Sequence, residues 1–192
     1  MSTIIIRHDD CLRHDPGAGH PESVQRLQAV MAALEGLDGI EKLPAPLATV
    51  EQITRAHPLE YWNMVQDAEP GEGRVGLDAD TFVNSGSIEA AQRAAGGMCF
   101  AVDQVLAGKA QRAFCAVRPP GHHAEQSTAM GFCLLNHVAV AAHHAIASGA
   151  AERVAIVDFD VHHGNGTQSI FESTPDVLFV SSHQIPLYPG TG

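Results

Sequence analysis

Apolar residues recur along this chain with two periods, and each period predicts a different kind of element. Short, nearly continuous apolar runs predict strands buried on both faces, whereas spacings of three and four residues predict helices. The predicted strands cover residues 3–7, 112–117, 154–160 and 177–182. The predicted helices cover residues 22–34, 48–56, 59–65, 87–106, 134–147 and 167–172, the last with Thr167 as its N-cap. Residues 67–80 are acidic and contain glycine, and we expect a long exposed loop there.

The order from residue 112 onward is strand, helix, strand, helix, strand. This alternation is typical of an α/β domain in which helices cover both faces of a central parallel sheet. Functional sites in such domains gather at the carboxyl ends of the strands. No internal repeat or interdomain linker is evident, so residues 1–192 predict a single domain.

The composition narrows the class of protein. Hydrophobic residues make up 45% of the 192 residues and charged residues 17%, which is typical of a globular domain. No apolar stretch approaches the roughly 20 residues that span a bilayer, so we expect no membrane association. The formal net charge of -11 argues against a nucleic-acid partner and mildly favours a cationic substrate. The four cysteines are far apart and form no C-x-x-C pair, which indicates reduced thiols and a cytoplasmic protein.

The segment VDFDVHHGNGTQ, residues 157–168, places carboxylates and imidazoles directly after a predicted strand. Alternate side chains of an extended chain share a face. One face carries Ile156, Asp158, Asp160 and His162, and the other carries Val157, Phe159 and Val161, which we expect to pack. Neighbouring buried carboxylates need a cation or hydrogen-bond donors, so Asp160 and His162 indicate a site for Zn²⁺ or a similar divalent ion. Alternatively, these two side chains cap the next helix or pair with each other.

The segment AVRPPGHHAE, residues 116–125, also follows a predicted strand and should emerge at the same edge of the sheet. Its two prolines and glycine restrict the backbone, which can hold His122 and His123 beside a substrate. Adjacent imidazoles can serve as general base and partner acid, with Asp158 and Asn165 as candidates for orienting them. A surface pair without function is the alternative, since isolated histidine pairs are usually that.

Other candidates favour structural roles. The glycines around Asn165 lack the pattern of a phosphate-binding loop, so a tight turn is favoured over an anion cradle. We expect His143 and His144 on a solvated surface, His137 in a packing or capping role, and Cys133 as a buried structural thiol.

Four segments together resemble the signature blocks of the histone deacetylase superfamily, which includes bacterial acetylpolyamine amidohydrolases. They are RPPGHHAE, GFCLLNHVAVAA, VDFDVHHGNGTQ and SSHQIPLYPGTG, and residues 8–27 resemble the family's N-terminal block. Asn165 makes the chain similar to the class II-like and bacterial branch. The resemblance implies an arginase/deacetylase-type three-layer α/β sandwich around a parallel sheet. It also implies zinc-dependent hydrolysis of an acetylated amine, either acetyl-lysine or an acetylpolyamine.

The same resemblance implies roles for individual residues. Asp160 and His162 match two zinc ligands, His123 matches the general base, and His122 matches its proton-donating partner. Asp158 and Asn165 match the groups that orient the histidine pair.

A structural potassium ion is also implied, held by backbone carbonyls of Asp158, Asp160 and His162 with the Ser181 hydroxyl. Phe132 and Tyr188 match the walls of the acyl-lysine channel, Gly131 matches the carbonyl that meets the substrate amide, and Asp80 matches a carboxylate at the rim.

Two family elements are absent: the later aspartate that completes the zinc ligands, and a Gly-Gly-Tyr segment whose phenol stabilises the oxyanion. Loss of one such donor lowers a rate by roughly 10²–10³. We therefore expect a domain that is incomplete at its C-terminus, an inactive isolated chain, and an exposed sheet edge that promotes self-association into a homo-oligomer. The alternatives are a non-catalytic metal- or acyl-binding remnant and, ranked last because Gly164 stands two residues after His162, an arginase-like ureohydrolase.

Overall fold

Seven strands and six α-helices follow one another in residues 2–192, the part of the chain that this computed structural model describes. The strands are β1 (Thr3–Arg7), β2 (Glu41–Pro44), β3 (Arg74–Gly76), β4 (Phe82–Asn84), β5 (Arg112–Ala116), β6 (Val154–Asp158) and β7 (Val177–Ser181). The helices are α1 (Val24–Glu35), α2 (Val50–Thr54), α3 (Leu59–Asp67), α4 (Ser87–Leu106), α5 (His137–Ala147) and α6 (Asn165–Phe171). All six helices and four of the strands lie where the apolar pattern predicted them.

The larger strands form two parallel sheets. β1 lies between β2 and β5, and Ile6 is opposite Leu43 on one side and Cys115 on the other. β6 pairs with β7, so that Asp158 is opposite Ser181. β3 and β4 form a small antiparallel hairpin. The predicted α/β class with parallel strands is therefore confirmed.

β5 and β6 belong to separate sheets within the described residues, although the sequence pattern suggested one continuous sheet. The connecting helix α5 packs mainly against α4 and does not bring β6 beside β5. A cleft of about 380 Å³ separates the two strands, with Cys115 and Val117 on one side and Ile156 and Val157 on the other. The loops after β5 and β6 therefore approach the same place from different sheets.

The apolar face of β6 does not pack, which makes that prediction wrong. Val157 is 65% exposed and Phe159 is 87% exposed, whereas Ile156 on the opposite face is buried. Leu178 and Val180 of β7 are exposed as well. Within residues 2–192, α5 and α6 contact this pair of strands, and neither helix covers the outer face.

The hydrophobic core is organised around α4, which packs on α5 and on the three-stranded sheet. Gly96 lies in the middle of this continuous helix, at a point where a loop passes very close to the helix backbone. A Cβ atom at Gly96 would lie 2.3 Å from the carbonyl oxygen of Pro46. A glycine inside a helix costs roughly 1 kcal/mol relative to alanine, and the close approach of the loop compensates for it.

Several boundaries differ from the prediction for local reasons. The Asn136 side chain accepts a hydrogen bond from the N–H of Ala139, so α5 begins at His137 and not at residue 134. Thr167 is not an N-cap: α6 begins at Asn165 and Thr167 lies buried inside it. The loop predicted for residues 67–80 contains β3.

Two further expectations concern the cysteines and membrane-spanning helices. All four cysteines are free, and Cys11, Cys99 and Cys133 are buried, as predicted for thiols in a core. No helix in residues 2–192 has the length and apolar character needed to cross a membrane.

Candidate active site

The loops that follow β5 and β6 bring two histidines against two polar partners. Nδ1 of His122 donates to Oδ2 of Asp158 over 2.9 Å, and Nδ1 of His123 lies 2.8 Å from Oδ1 of Asn165. The two imidazole centroids are 3.9 Å apart. The four residues that the sequence grouped as a catalytic set therefore lie together, and each histidine has a partner of its own.

The histidine-bearing loop is held in place from behind by Asn136. Its Nδ2 donates to the Ala124 carbonyl over 3.2 Å and to the Thr167 hydroxyl over 3.1 Å. The Thr167 N–H in turn donates to the His122 carbonyl over 3.1 Å. Nε2 of buried His57 accepts from the Asn136 N–H, which completes the support. These bonds join the loop to α6, the helix that carries the partner of His123.

The start of the loop is fixed by a buried ion pair. Nε of Arg118 donates to Glu22 over 2.6 Å, and a second guanidinium nitrogen donates to the Cys11 carbonyl over 2.9 Å. Both side chains are almost fully buried. The guanidinium of Arg118 thus has hydrogen-bond partners on two sides. Because both partners belong to the segment that precedes α1, they connect the loop to that segment.

The electrostatics differ between the two histidines. Burial, assisted by the charge of neighbouring His122, lowers the pKa of His123 to about 4. Burial alone would raise the pKa of Asp158, but its hydrogen bond and charge interaction with His122 outweigh burial and lower that pKa. At neutral pH, Asp158 is therefore a carboxylate and His123 is a neutral imidazole that can accept a proton.

Asp160 and His162 converge just beyond this pair. Oδ1 of Asp160 lies 3.1 Å from Nδ1 of His162, and the ring of His162 is 6.0 Å from the ring of His123. Two ligands of one tetrahedral zinc ion would be about 3.3 Å apart, given the bond lengths of about 2.0–2.1 Å. The separation and the mixed oxygen and nitrogen donors fit a zinc site in part. A protein zinc site needs at least one more ligand, and no group of three such side chains occurs in residues 2–192.

The residues matched to the potassium site lie at the ends of β6 and β7. Asp158 and Ser181 are opposite each other on β6 and β7, and the Asp158 carbonyl accepts from the N–H of Ser182 over 2.9 Å. The Ser181 hydroxyl lies 2.9 Å from Nδ1 of His183. Potassium binding here remains a prediction.

Two of the residues matched to the channel, Gly131 and Tyr188, contact His123. Gly131 has a φ of +56°, and a Cβ atom there would lie 2.4 Å from Cδ2 of His123, so only glycine fits. Phe132 has a φ of +70° and donates its N–H to the Thr81 hydroxyl over 3.0 Å. The ring of Tyr188 stands edge-on to that of His123 at 5.0 Å. Burial and the charge of Asp80 raise the pKa of Tyr188 to about 12.

Sequence reasoning missed several supporting residues of the site. His20 packs edge-on against Phe132 at 4.7 Å, and its Nε2 donates to the Asp80 carbonyl over 2.9 Å. Glu125 accepts a hydrogen bond from Nδ2 of Asn165 over 3.0 Å. Both residues lie in segments that were already identified, but periodicity cannot show which polar side chains meet in space.

Three other histidines lie outside the site. His137 is partly buried, and its buried Nδ1 has no hydrogen-bond partner within residues 2–192, which agrees with a packing role. The prediction of solvated surface for His143 and His144 was wrong. The ring of His143 packs on Phe171 at 4.8 Å, and Nε2 of His144 donates to Asp103 over 2.7 Å.

Comparison with known proteins places this geometry in a family. The family model described as the histone deacetylase domain matches residues 20–192. The chain belongs to the histone deacetylase family. A protein of Archaeoglobus fulgidus named "Probable deacetylase" is 41% identical over 197 residues, covering 100% of this chain and 54% of its own length. The "Histone deacetylase-like amidohydrolase" of Pseudomonas aeruginosa is 42% identical over 178 residues, covering 90% of this chain and 46% of its own.

The histone deacetylase fold is confirmed in three dimensions. The crystal structure of the HDA15 HD domain superposes with a TM-score of 0.93 at 39% identity, covering 100% of this chain and 56% of that one. This chain thus spans about half the length of the relatives that it matches. The arginase-like alternative is not favoured by the site, because a Cβ atom at Gly164 would lie 2.2 Å from Oδ2 of Asp158 and leaves no room for another ligand there.

Proposed function

We propose that this histone deacetylase family member takes part in the zinc-dependent removal of an acetyl group from an acetylated amine, either acetyl-lysine or an acetylpolyamine. The observation that carries the proposal is the pair of histidines with separate Nδ1 partners, a carboxylate for His122 and an amide for His123. Each ring thereby has its Nε2 directed away from its partner. Two side chains that can exchange protons with a substrate are what amide hydrolysis requires.

The proposed roles follow from the chain's own residues. His123, neutral because burial lowers its pKa to about 4, accepts a proton from the attacking water. His122 supplies a proton to the leaving amine, and Asp158 orients its ring. Gly131 and Phe132 hold the acyl chain beside the His123 ring, and Asp80 contacts the substrate at the rim. Asp160 and His162 would hold zinc, which polarises the acyl carbonyl and lowers the pKa of water.

Zinc titration tests the metal part of the proposal. Calorimetry with the 192-residue chain should show weak zinc binding, because within residues 2–192 only two candidate ligands converge. Asp160→Ala should abolish that binding, and His123→Ala should leave it unchanged. His144→Ala is the matched control on a distant face. Equal zinc binding by the parent and Asp160→Ala would exclude this site.

Activity is tested on the protein expressed from its complete gene, with acetyl-lysine and acetylputrescine reporters. His123→Ala should lower kcat by at least about 100-fold, since general-base catalysis contributes typically 10²–10⁴-fold. Zinc binding without turnover on either reporter would favour the second candidate, a non-catalytic metal- or acyl-binding protein. Unchanged activity of His123→Ala would exclude the proposed mechanism.

We further propose that the 192-residue chain self-associates. The outer face of β6 and β7 exposes Val157, Phe159 and Leu178, and within residues 2–192 the edges of β5 and β6 that face the cleft lack a neighbouring strand. Exposed apolar faces and unpaired edges promote association between chains. A cytoplasmic location also remains a proposal, supported by the four free cysteines.

A further inference from the structure

Asn165 lies between His123 and a third residue that has no role in the proposed function. Its Oδ1 is 2.8 Å from Nδ1 of His123, and its Nδ2 donates to Oε1 of Glu125 over 3.0 Å. Nδ2 also lies 3.4 Å from the sulfur of Met130. Asn165 is only 8% exposed, so its amide has few other partners available.

The carboxylate of Glu125 determines the orientation of the Asn165 side-chain amide. An ionised carboxylate only accepts hydrogen bonds, so the amide atom that faces Glu125 must be the NH₂ group. The amide oxygen then faces His123, and its Nδ1 must be the nitrogen that carries the proton. Because His123 is neutral, its Nε2 is left without a proton and can accept one.

The opposite orientation of the amide would prevent that function. If the NH₂ group faced His123, Nδ1 would have to accept and the proton would move to Nε2. That tautomer cannot take a proton from water. Glu125 disfavours the flip, since the flip would lose a hydrogen bond to a charged acceptor and would place the amide oxygen against a carboxylate.

The backbone places Glu125 firmly enough for this task. Its N–H donates to the Thr128 carbonyl over 3.0 Å in a tight turn, and the preceding Ala124 carbonyl is bound by Asn136. Glu125 is on the same loop as His123, two residues further along the chain. The histidine, the amide and the carboxylate therefore form one connected row.

We propose that Glu125 is a positioning residue that fixes the Asn165 amide and thereby keeps His123 in the tautomer with the proton on Nδ1. The value of this tautomer for catalysis rests on the proposed function, but the hydrogen-bond arrangement itself does not. A charged hydrogen bond of this kind favours one orientation by roughly 10- to 100-fold. Its removal should leave a mixture of both tautomers.

Nitrogen NMR of ¹⁵N-histidine-labelled 192-residue chain at neutral pH tests the proposal directly. The His123 signals are assigned by their absence in His123→Gln. The parent should show a single Nδ1-protonated form, whereas Glu125→Gln should show a mixture of tautomers, since a glutamine amide can donate to Asn165 as well as accept from it. Glu125→Ala should show a mixture of tautomers. The signals of His122, whose partner is Asp158, should not change and report that the loop remains folded.

A double variant separates tautomer control from general damage. In Glu125→Ala with Asn165→Asp, the new carboxylate can only accept from His123, so the single Nδ1-protonated form should return. An unchanged tautomer in Glu125→Ala, or a mixture that persists in the double variant, would overturn the proposal. If the tautomers behave as expected while the protein from the complete gene shows no deacetylation, the proposed function fails and this inference stands.

The kinetic counterpart uses the protein from the complete gene. Glu125→Ala should lower kcat by about 2-fold with little change in KM, since about half of the molecules keep the competent tautomer, and the double variant Glu125→Ala with Asn165→Asp should restore most of the loss. A change in KM alone would indicate a role in substrate binding and would contradict the positioning role.

Discussion

Replacement of partly buried His137 should make the chain less sensitive to acid. Nδ1 of this side chain has no hydrogen-bond partner in residues 2–192, and burial lowers its pKa from 6.5 to about 4. Below pH 6.5 the unfolded chain binds a proton at this position that the folded chain does not bind until the pH approaches 4. The free energy of unfolding therefore falls as the pH falls through this window. A His137→Leu variant lacks this contribution.

The magnitude follows from the two pKa values. The linkage relation gives a loss of about 1.8 kcal/mol between pH 7 and pH 5 for one histidine with these values. Three other buried histidines, His14, His57 and His123, also have a pKa lowered to about 4 by burial. Their contributions are the same in parent and variant and cancel in the difference. At pH 7 the variant also loses an unsatisfied buried nitrogen, which is worth roughly 1–3 kcal/mol.

Urea unfolding between pH 7 and pH 5 measures this difference, with fluorescence of the buried, single tryptophan Trp62 as the probe. The gap in unfolding free energy between His137→Leu and the parent should widen by about 1.8 kcal/mol as the pH falls to 5. His137→Gln is the matched control, since it removes the titration and keeps a polar group. Both variants should show the same change of slope. Parallel curves for parent and His137→Leu would refute the reasoning.

Three further predictions concern other parts of the chain. Gly131→Ala should lower the unfolding free energy by about 2–3 kcal/mol, because a positive φ and a contact with a histidine ring coincide there; Gly108→Ala, with a positive φ and open space, should lower it by only about 1 kcal/mol. Phe159→Glu should reduce self-association in light scattering, whereas Val50→Glu on a distant helix should not, and equal association in both would contradict the proposed surface. Glu22→Gln should cost about 3–5 kcal/mol in urea unfolding, since it leaves a buried guanidinium without its charge partner, and a loss below about 1 kcal/mol would contradict that account.

The sequence was sufficient to predict that His122 and His123 meet Asp158 and Asn165. His122 and Asp158 each follow an apolar run that ends in a polar turn, and the ends of parallel strands lie at one edge of a sheet. The prediction used only the polar residues at the ends of two predicted strands, and the contacts form although β5 and β6 lie in separate sheets. The predicted start of α5, residue 134, was three residues too early, because the capping role of Asn136 depends on its side-chain orientation.

Long-range arrangement was not predictable from the apolar pattern. Alternation in β6 shows that Val157 and Phe159 share a face, but not that this face lacks a covering element in residues 2–192. Strand order likewise does not follow from chain order, so the separation of β5 and β6 was missed. Glu125 was overlooked because the pattern does not show which polar side chain of the loop turns towards Asn165.

The division of the strands between two sheets has a mechanical consequence for the site. His122 and His123 extend from the three-stranded sheet, whereas Asp158 and Asn165 belong to β6 and the helix that follows it. Within residues 2–192, each histidine–partner bond therefore links the three-stranded sheet to the β6–β7 pair. A change in the spacing of the two sheets would therefore alter both hydrogen bonds at once.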